Sequence, residues 1–455
     1  APGNTGYTLK VPQRNNPNAG EIPPTRRTDS HNEHSTASVS DSEEKIGVFS
    51  SLRHRNFSLF LLGTTLANAA QWIQQVTLSW LAYDLSGSGT ILGSINMVRS
   101  IPSLSLTPVA GVIIDRFSRR FLLLIVKGWL FLISLVLGLV LLFGQGHISY
   151  LFIFAALGGL AQAIDMSLRQ VLVFDLVPRR LAPNALALIQ TGWSLMRSLG
   201  PGIGGFLILW FGAGGNFLIQ AAAYALIAIS IFWIQFPQRT STGTASSPLK
   251  NIREGITFVA KERVTRTFMI MGWMLPLFIV PNYTALPPIY AKDVFYGGPQ
   301  TLGILMAVVG VGGIAGGVVV ASLGRMERRG LLQLVSLLLT SLSLIGFAFS
   351  TNLPVALLLL ALSGFFEMIY LTTNQTLLQL SIPDNLRGRV TSIVNLNAVL
   401  SPLGAFVAGA GSDLLGGPKM VTIVLCGIAA VIAVFVFFFS PTVRNYRLSQ
   451  AMRAD

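Results

Sequence analysis

The chain has 455 residues, 52% of them hydrophobic and only 11% charged. Soluble domains carry about 25% charged residues, so this composition excludes a string of soluble domains and points to a protein that faces lipid over much of its surface. A net charge of +14 would suggest nucleic-acid binding in a soluble chain, but here Lys and Arg collect in short loops between apolar runs, and nucleic acid is not an expected partner.

Residues 1–50 are rich in Asn, Pro, Ser, Thr and charge and lack apolar periodicity, which predicts a disordered cytoplasmic tail. No charged stretch followed by an apolar one occurs there, so no secretory signal is expected; a protein partner reached through the tail stays open. From Phe57 onward come apolar runs of about 20 residues, the length that crosses ~30 Å of hydrocarbon. Six spans are predicted at 57–82, 89–112, 120–143, 149–176, 185–211 and 214–236, and six more at 266–290, 300–322, 331–349, 354–381, 390–412 and 419–440. Between the sets, Ile252, Ile256, Phe258 and Val259 alternate with Arg253, Glu254, Lys261 and Glu262, the pattern of a helix lying on the membrane surface. The expected domains are 51–236 and 265–440, each a six-helix bundle, joined by a cytoplasmic linker at 237–264 and followed by a cytoplasmic tail at 441–455. The single cysteine, Cys426, lies in an apolar run; no internal disulfide or paired-cysteine metal site is possible, and neither metal nor cofactor is expected.

Loop charge sets the orientation. Arg53 and Arg55 precede the first span, and every second loop thereafter is basic, with Arg116, Arg119 and Arg120, then Arg179 and Arg180, then Arg325, Arg328 and Arg329, then Arg387 and Arg389. The opposite loops offer essentially Lys292 and Lys419. Cationic loops stay inside, so both termini are expected in the cytoplasm.

The two sets of spans also match in register. Gly111, Asp115, Arg116, Arg119 and Arg120 follow span two; Gly317, Gly324, Arg325, Glu327, Arg328 and Arg329 follow span eight. Pro178 to Asn184 after span four corresponds to Pro383 to Arg389 after span ten. Gly200-Pro201 in span five corresponds to Ser401-Pro402 in span eleven. Such repeats are common in transporters.

The stretch from Gly111 to Arg120 resembles the signature loop of the major facilitator superfamily, Gly-x-x-x-Asp-Arg-x-x-Arg-Arg/Lys. Gly200-Pro201-x-x-Gly204-Gly205 is similar to the fifth-helix motif of its drug/proton antiporters, although Met196 stands where a further glycine is usual. Tyr83 to Ser88, Leu176 to Ala185, Arg253 to Val259 and Pro383 to Val390 resemble the bacterial exporter branch that includes the enterobactin and macrolide efflux proteins. The resemblance covers about 55–440. It implies an all-α membrane protein of twelve transmembrane helices in two six-helix bundles, both termini cytoplasmic, in the bacterial inner or plasma membrane. It also implies alternating access around a midplane site, with the fifth-helix motif biasing the cavity against leak.

Ionisable groups inside spans are costly and usually face a cavity or one another. By depth, Arg99, Asp165, Arg197 and Glu367 sit near the bilayer middle. Asp165 and Glu367 are the proton-coupling candidates. For Glu367 the competing reading is an ion pair with a distant arginine; for Asp165 it is a pair with Arg169, Arg99 or Arg197. Arg99 and Arg197 are candidate substrate contacts or, alternatively, helix-to-helix partners of Asp165. Asn68, Gln71 and Gln75, spaced three and four apart, share one face of span one, and Tyr370 and Asn374 share one with Glu367; both faces are expected to line a cavity or to hydrogen-bond between helices. Gln74 departs from its stripe. Pro276, Pro281, Pro287 and Pro288 should interrupt span seven. At the signature loop, Asp115 is expected to face the start of span eleven or Arg169, and Arg116, Arg119 and Arg120 to pair with Asp175 or meet anionic lipid, so that the loop gates the carrier.

The expected function is secondary active export of a small amphipathic compound (a drug, macrolide or siderophore-like molecule), coupled to protons, by a monomer. The alternatives are an uncoupled metabolite or lipid transporter and a non-transporting membrane scaffold. No nucleotide-binding loop, His-Glu-x-x-His or Gly-x-Ser-x-Gly motif occurs, so an enzyme is not expected.

Overall fold

The structure, a computed structural model, describes residues 47, 49–144, 146–234, 257–323, 327–383, 386, 390 and 397–446. The N-terminal tail, most of the predicted linker helix, the loop and first part of span eleven (387–396 apart from 390) and the last nine residues lie outside that set. Among the described residues, all within one compact unit that begins at residue 46, there is no strand.

Eleven long helices follow one another: α1 (Arg55–Ser86), α2 (Gly89–Arg116), α3 (Arg119–Leu142), α4 (Ile148–Leu176), α5 (Ala182–Ile231), α6 (Arg263–Val294), α7 (Pro299–Ser322), α8 (Arg329–Phe349), α9 (Leu353–Leu380), α10 (Asn397–Leu414) and α11 (Pro418–Phe439). Eight of them, all but α1, α2 and α10, are long and apolar enough to cross a membrane. Ser88 and Ser118 start α2 and α3, their hydroxyls accepting from the amides of Ile91 and Phe121, the donors that a helix start leaves without intrahelical partners.

Helix α5 holds two arms. Gly212 has φ 70°, in the left-handed region. Twelve residues of straight helix span about 18 Å, yet Asn216 Nδ2 donates to the Gly204 carbonyl at 3.3 Å, so the chain turns back at Gly212. Both arms pack on α1. Helix α6 is interrupted as its prolines predict, by wider turns at Leu275–Ile279 and Tyr290–Val294. Pro276, Pro281, Pro287 and Pro288 each fall in the first turn of a new segment, where a missing amide hydrogen leaves no carbonyl unpaired.

In the first half, α1 packs on α5, α2 on α4, and α3 on α4 and α5; in the second, α7 and α8 pack on α9, and α8 and α10 on α11. The halves meet along α2–α10 and α5–α7. The Gly200–Gly205 motif makes both kinds of contact. A Cβ on Gly200 would lie 2.6 Å from Trp72 Cβ in α1, and one on Gly205 would lie 2.9 Å from Gly303 Cα in α7. Outside this core, Phe121, Ile125, Trp129, Leu132, Val136 and Leu139 form an exposed apolar stripe down α3, the helical period on a face that suits lipid and not water.

Side chains join the halves where α1 passes into α2. The Tyr83 hydroxyl donates to Asp293, and Lys292 Nζ lies 2.6 Å from Asp84 Oδ1. Asp413, at the end of α10, accepts from the hydroxyls of Ser88 (2.6 Å) and Thr90 (2.7 Å) and from the amides of Gly89 (2.8 Å) and Thr90 (2.9 Å).

Candidate functional site

Farther along the helices lie three adjoining chambers, two of them between the halves. The first, about 310 Å³, is lined by Gln71, Gln75, Asn96, Arg99 and Gln162 from the first half and by Thr284 and Ser401 from the second. The second, about 250 Å³, shares Trp72 and Trp193 with it and adds Arg197 and Glu367. The third, about 210 Å³, lies within the second half against Trp273, Tyr370, Asn374 and Gln375. Trp273 Nε1 is a buried donor with no partner among the described residues. Volumes of 300 Å³ and upward are typical of small-molecule sites.

Glu367 is 3% exposed and is paired across the halves. Arg197 Nη2, from the first arm of α5, lies 3.1 Å and 3.2 Å from its two oxygens. The Arg197 guanidinium also sits 5.8 Å from the Trp193 ring centre, and Trp193 packs on Trp72 at 6.2 Å. A cation over an indole face gains electrostatic attraction, so Trp193 steadies the arginine that Glu367 holds.

Of the three partners that the sequence offered for Asp165, the structure supplies Arg169 and not Arg99 or Arg197, and it adds Lys127. One oxygen takes Lys127 Nζ at 2.6 Å and the other takes Arg169 of the next helical turn. Lys127 is 2% exposed and had no place among the sequence candidates. Its position eight residues into α3 puts it about 12 Å from the Arg119 end, which is the signal that finds it: too deep to belong to the basic flank. A pocket of about 30 Å³, lined by Gln71, Arg99, Gln162, Asp165, Arg169 and Tyr224, connects this cluster with the first chamber's wall, room for about one water.

Of the stripe on α1, Gln71 and Gln75 line the first chamber, while Asn68 does not line any of the three; its Oδ1 accepts from Arg169 Nη1 at 2.9 Å. Arg169, one turn along α4 from Asp165, thus ties α4 to α1. Gln74 leaves the stripe, its Oε1 accepting from Gln220 at 2.6 Å. On α9, the Tyr370 hydroxyl donates to the Met271 carbonyl, and Asn374 Oδ1 accepts from Gln333 at 2.6 Å, so both line the third chamber while tying neighbouring helices together.

At the signature loop α2 runs through to Arg116, but the side chains of Gly111 and Asp115 lie outside the described set, as does most of the start of span eleven. Arg119 forms an ion pair with Asp175 at the end of α4. Arg120 does not join Arg119 on Asp175: its side chain is exposed and its Nη2 donates to the Phe232 carbonyl at 3.2 Å, just past the end of α5, where unsatisfied carbonyls favour a cation. Arg116 is exposed.

Membrane-length helices around a polar cavity shared by both halves define a multi-pass membrane transporter of the major facilitator fold. More narrowly, the chain belongs to the transmembrane secretion effector family, which it matches over residues 46–452. It is 28% identical over 383 residues to the staphyloferrin A transporter of Staphylococcus aureus, covering 84% of this chain and 95% of that one. It is 27% identical over 369 residues to the multidrug efflux pump Tap of Mycolicibacterium fortuitum, covering 79% and 89%. Among solved structures it resembles a bacterial homologue of the lysosomal transporter Spinster in an inward-facing, unoccupied conformation, with a TM-score of 0.68 and 15% identity over 86% of this chain and 98% of that one. The protein is a bacterial-type membrane transporter of small molecules and not an enzyme.

Proposed function

We propose that the chain is a twelve-span secondary active transporter that exports a small amphipathic compound by alternating access in exchange for protons. The span count adds α1, α2, α10 and the second arm of α5 to the eight apolar helices. These divide into two six-helix bundles, 51–236 and 265–440, and the basic loops at the Arg116–Arg120 end support cytoplasmic termini. The relative named as a multidrug efflux pump supports the outward direction.

The observation that carries the coupling is the buried Arg197–Glu367 pair, which faces the cavity and ties one half to the other. Leaving one partner of a buried pair unpaired costs about 3–5 kcal/mol. A proton on Glu367 removes that obstacle to separating α5 from α9, so the two bundles change their relation once the proton has arrived. Asp165, held by two cations inside the first half, is assigned a structural role, because one proton there leaves the halves as connected as before.

Export of labelled macrolides, dyes and siderophores from a pump-deleted host identifies a transported compound. Proteoliposomes then test the coupling: a pH gradient should accelerate transport by the wild type and leave Glu367→Gln at its downhill rate. Equal acceleration of both would refute coupling through Glu367. The mid-membrane chambers and the family membership leave the scaffold reading without support.

A further inference from the structure

The first chamber holds a cation, Arg99, that has no counter-ion among the described residues. Arg99 Nη1 donates to Gln75 Oε1 at 2.6 Å and its Nε to Gln162 Oε1 at 3.1 Å; no carboxylate pairs with it among the described residues. Both acceptors are neutral amides. The guanidinium cannot shed its proton and carries five donors in a planar fork, so hydrogens remain for the chamber that it lines.

Its setting is fixed by neighbours. Gly159 in α4 leaves no room for a Cβ against the Arg99 carbonyl, so α2 and α4 cross in backbone contact at this residue, and Gln162 follows one turn later to meet Nε. Gln75 presents its oxygen to Arg99 because its amide nitrogen is used by Ser79 (3.2 Å) and Asn96 (3.4 Å); Asn96 in turn donates to the Leu92 carbonyl at 3.1 Å. The charge is therefore aimed before anything binds. Beside it, Arg169 and Lys127 share the single carboxylate of Asp165, and Arg197 with Glu367 adds nothing net. Among the described residues the polar side of the cavity carries positive charge in excess, while Trp72, Trp193, Met166 and Pro402 give it an apolar wall. An unpaired charge in a membrane interior is expensive to keep, and a ligand anion relieves it.

We propose that Arg99 is the anion-binding residue of this cavity and that the transported compound is an amphipathic anion, its carboxylate on Arg99 and its apolar body against Trp72 and Trp193. The proposal rests on the cavity being the transport site and adds the charge class of the cargo. A lipid phosphate shares this chemistry, and the test separates the two.

The full chain in phosphatidylcholine nanodiscs is titrated with three probes that share one ring system: anthracene carboxylate, anthracene methylammonium and anthracene methanol, read by energy transfer from protein tryptophan. The carboxylate should bind at least about tenfold more tightly than the other two. Arg99→Gln should abolish that preference while the alcohol binds as before. A wild-type protein that binds the ammonium as tightly as the carboxylate overturns the proposal without recourse to any variant, and so does an unchanged preference in Arg99→Gln. Loss of carboxylate binding in discs containing phosphatidylglycerol would overturn the assignment to a soluble anion. In proteoliposomes the two readings part company: proton-driven movement of the ammonium probe alone sinks the anion proposal and keeps the exporter, whereas selective binding of the carboxylate without movement of any probe sinks the exporter and keeps the site.

Discussion

Removing the Asp413 carboxylate should loosen the end at which α1 passes into α2. This side chain comes from α10 and accepts four hydrogen bonds from Ser88, Gly89 and Thr90, two of them from amides in the first turn of α2. It thus caps a helix of the opposite half, and an anion there also meets the positive end of that helix. Loss of a capping side chain costs about 0.5–2 kcal/mol. Three of the four bonds are exposed, which rules out the larger values known for buried charges. About 1–2 kcal/mol remains, a factor of about 5–30 in an equilibrium. The change acts on the contact between halves and not on α2 itself, because Ser88 still caps Ile91 at 3.3 Å. Tyr83–Asp293 and Asp84–Lys292 persist, so the closed end should loosen without being lost. Spin labels at Leu85 and Leu415, both exposed on opposite halves, read the change by pulsed dipolar spectroscopy; the one native cysteine, Cys426, is buried and should stay unlabelled. Asp413→Ala should raise the long-distance population by roughly the factor above, with Asp413→Asn between it and the wild type. Identical distance distributions in all three proteins would refute the capping argument.

Gly409→Ala should push the same pair of labels apart, since a Cβ there would run into the Gly89 carbonyl where α2 and α10 touch; an unchanged distance would mean the crossing is looser than described. Lys127→Met strips one of two cations from the buried Asp165, and because Arg169 remains the loss should fall at or below the low end of the ~3–5 kcal/mol expected for a broken buried pair. A thermal midpoint equal to that of the wild type would contradict it. For the pair across the halves, Arg197→Gln combined with Glu367→Gln should be more stable than Arg197→Gln alone, because the single change strands a buried carboxylate; additive losses in the double-mutant cycle would argue against a direct interaction.

What could be read from the sequence follows physical range. Apolar length marked the helices, including the break between the runs that end at 211 and begin at 214, and the prolines marked the breaks in α6, because each depends on residues within a turn or two of one another. The pairing of Asp165 with Arg169 is of this local kind. Its second partner, Lys127, arrives from α3, and Glu367 meets Arg197 at a separation of 170 residues; neither contact leaves a periodic trace. Asn68 shows a subtler limit. It shares a helix face with Gln75, but seven residues are about 10 Å of rise, and at its own depth Arg169 occupies the space that the cavity occupies farther along. Periodicity fixes direction around a helix and leaves depth to the neighbouring helices.

The links between the halves differ in a way that bears on where a proton is needed. Asp84 and Lys292 are 45% and 39% exposed, and pairs of that kind contribute about 0–1 kcal/mol because water replaces each partner readily. The Asp413 cap, worth somewhat more, is exposed to water as well. Such contacts can open and close in every cycle without any change of protonation. Arg197 and Glu367 are different: Glu367 is nearly enclosed, and separating them uncompensated costs several times more. In the proposed cycle the exposed links set how readily one end opens, and the buried pair decides whether opening waits for a proton. Weakening the first should therefore change the balance of conformations without uncoupling transport, whereas neutralising Glu367 should uncouple it even with every exposed link intact.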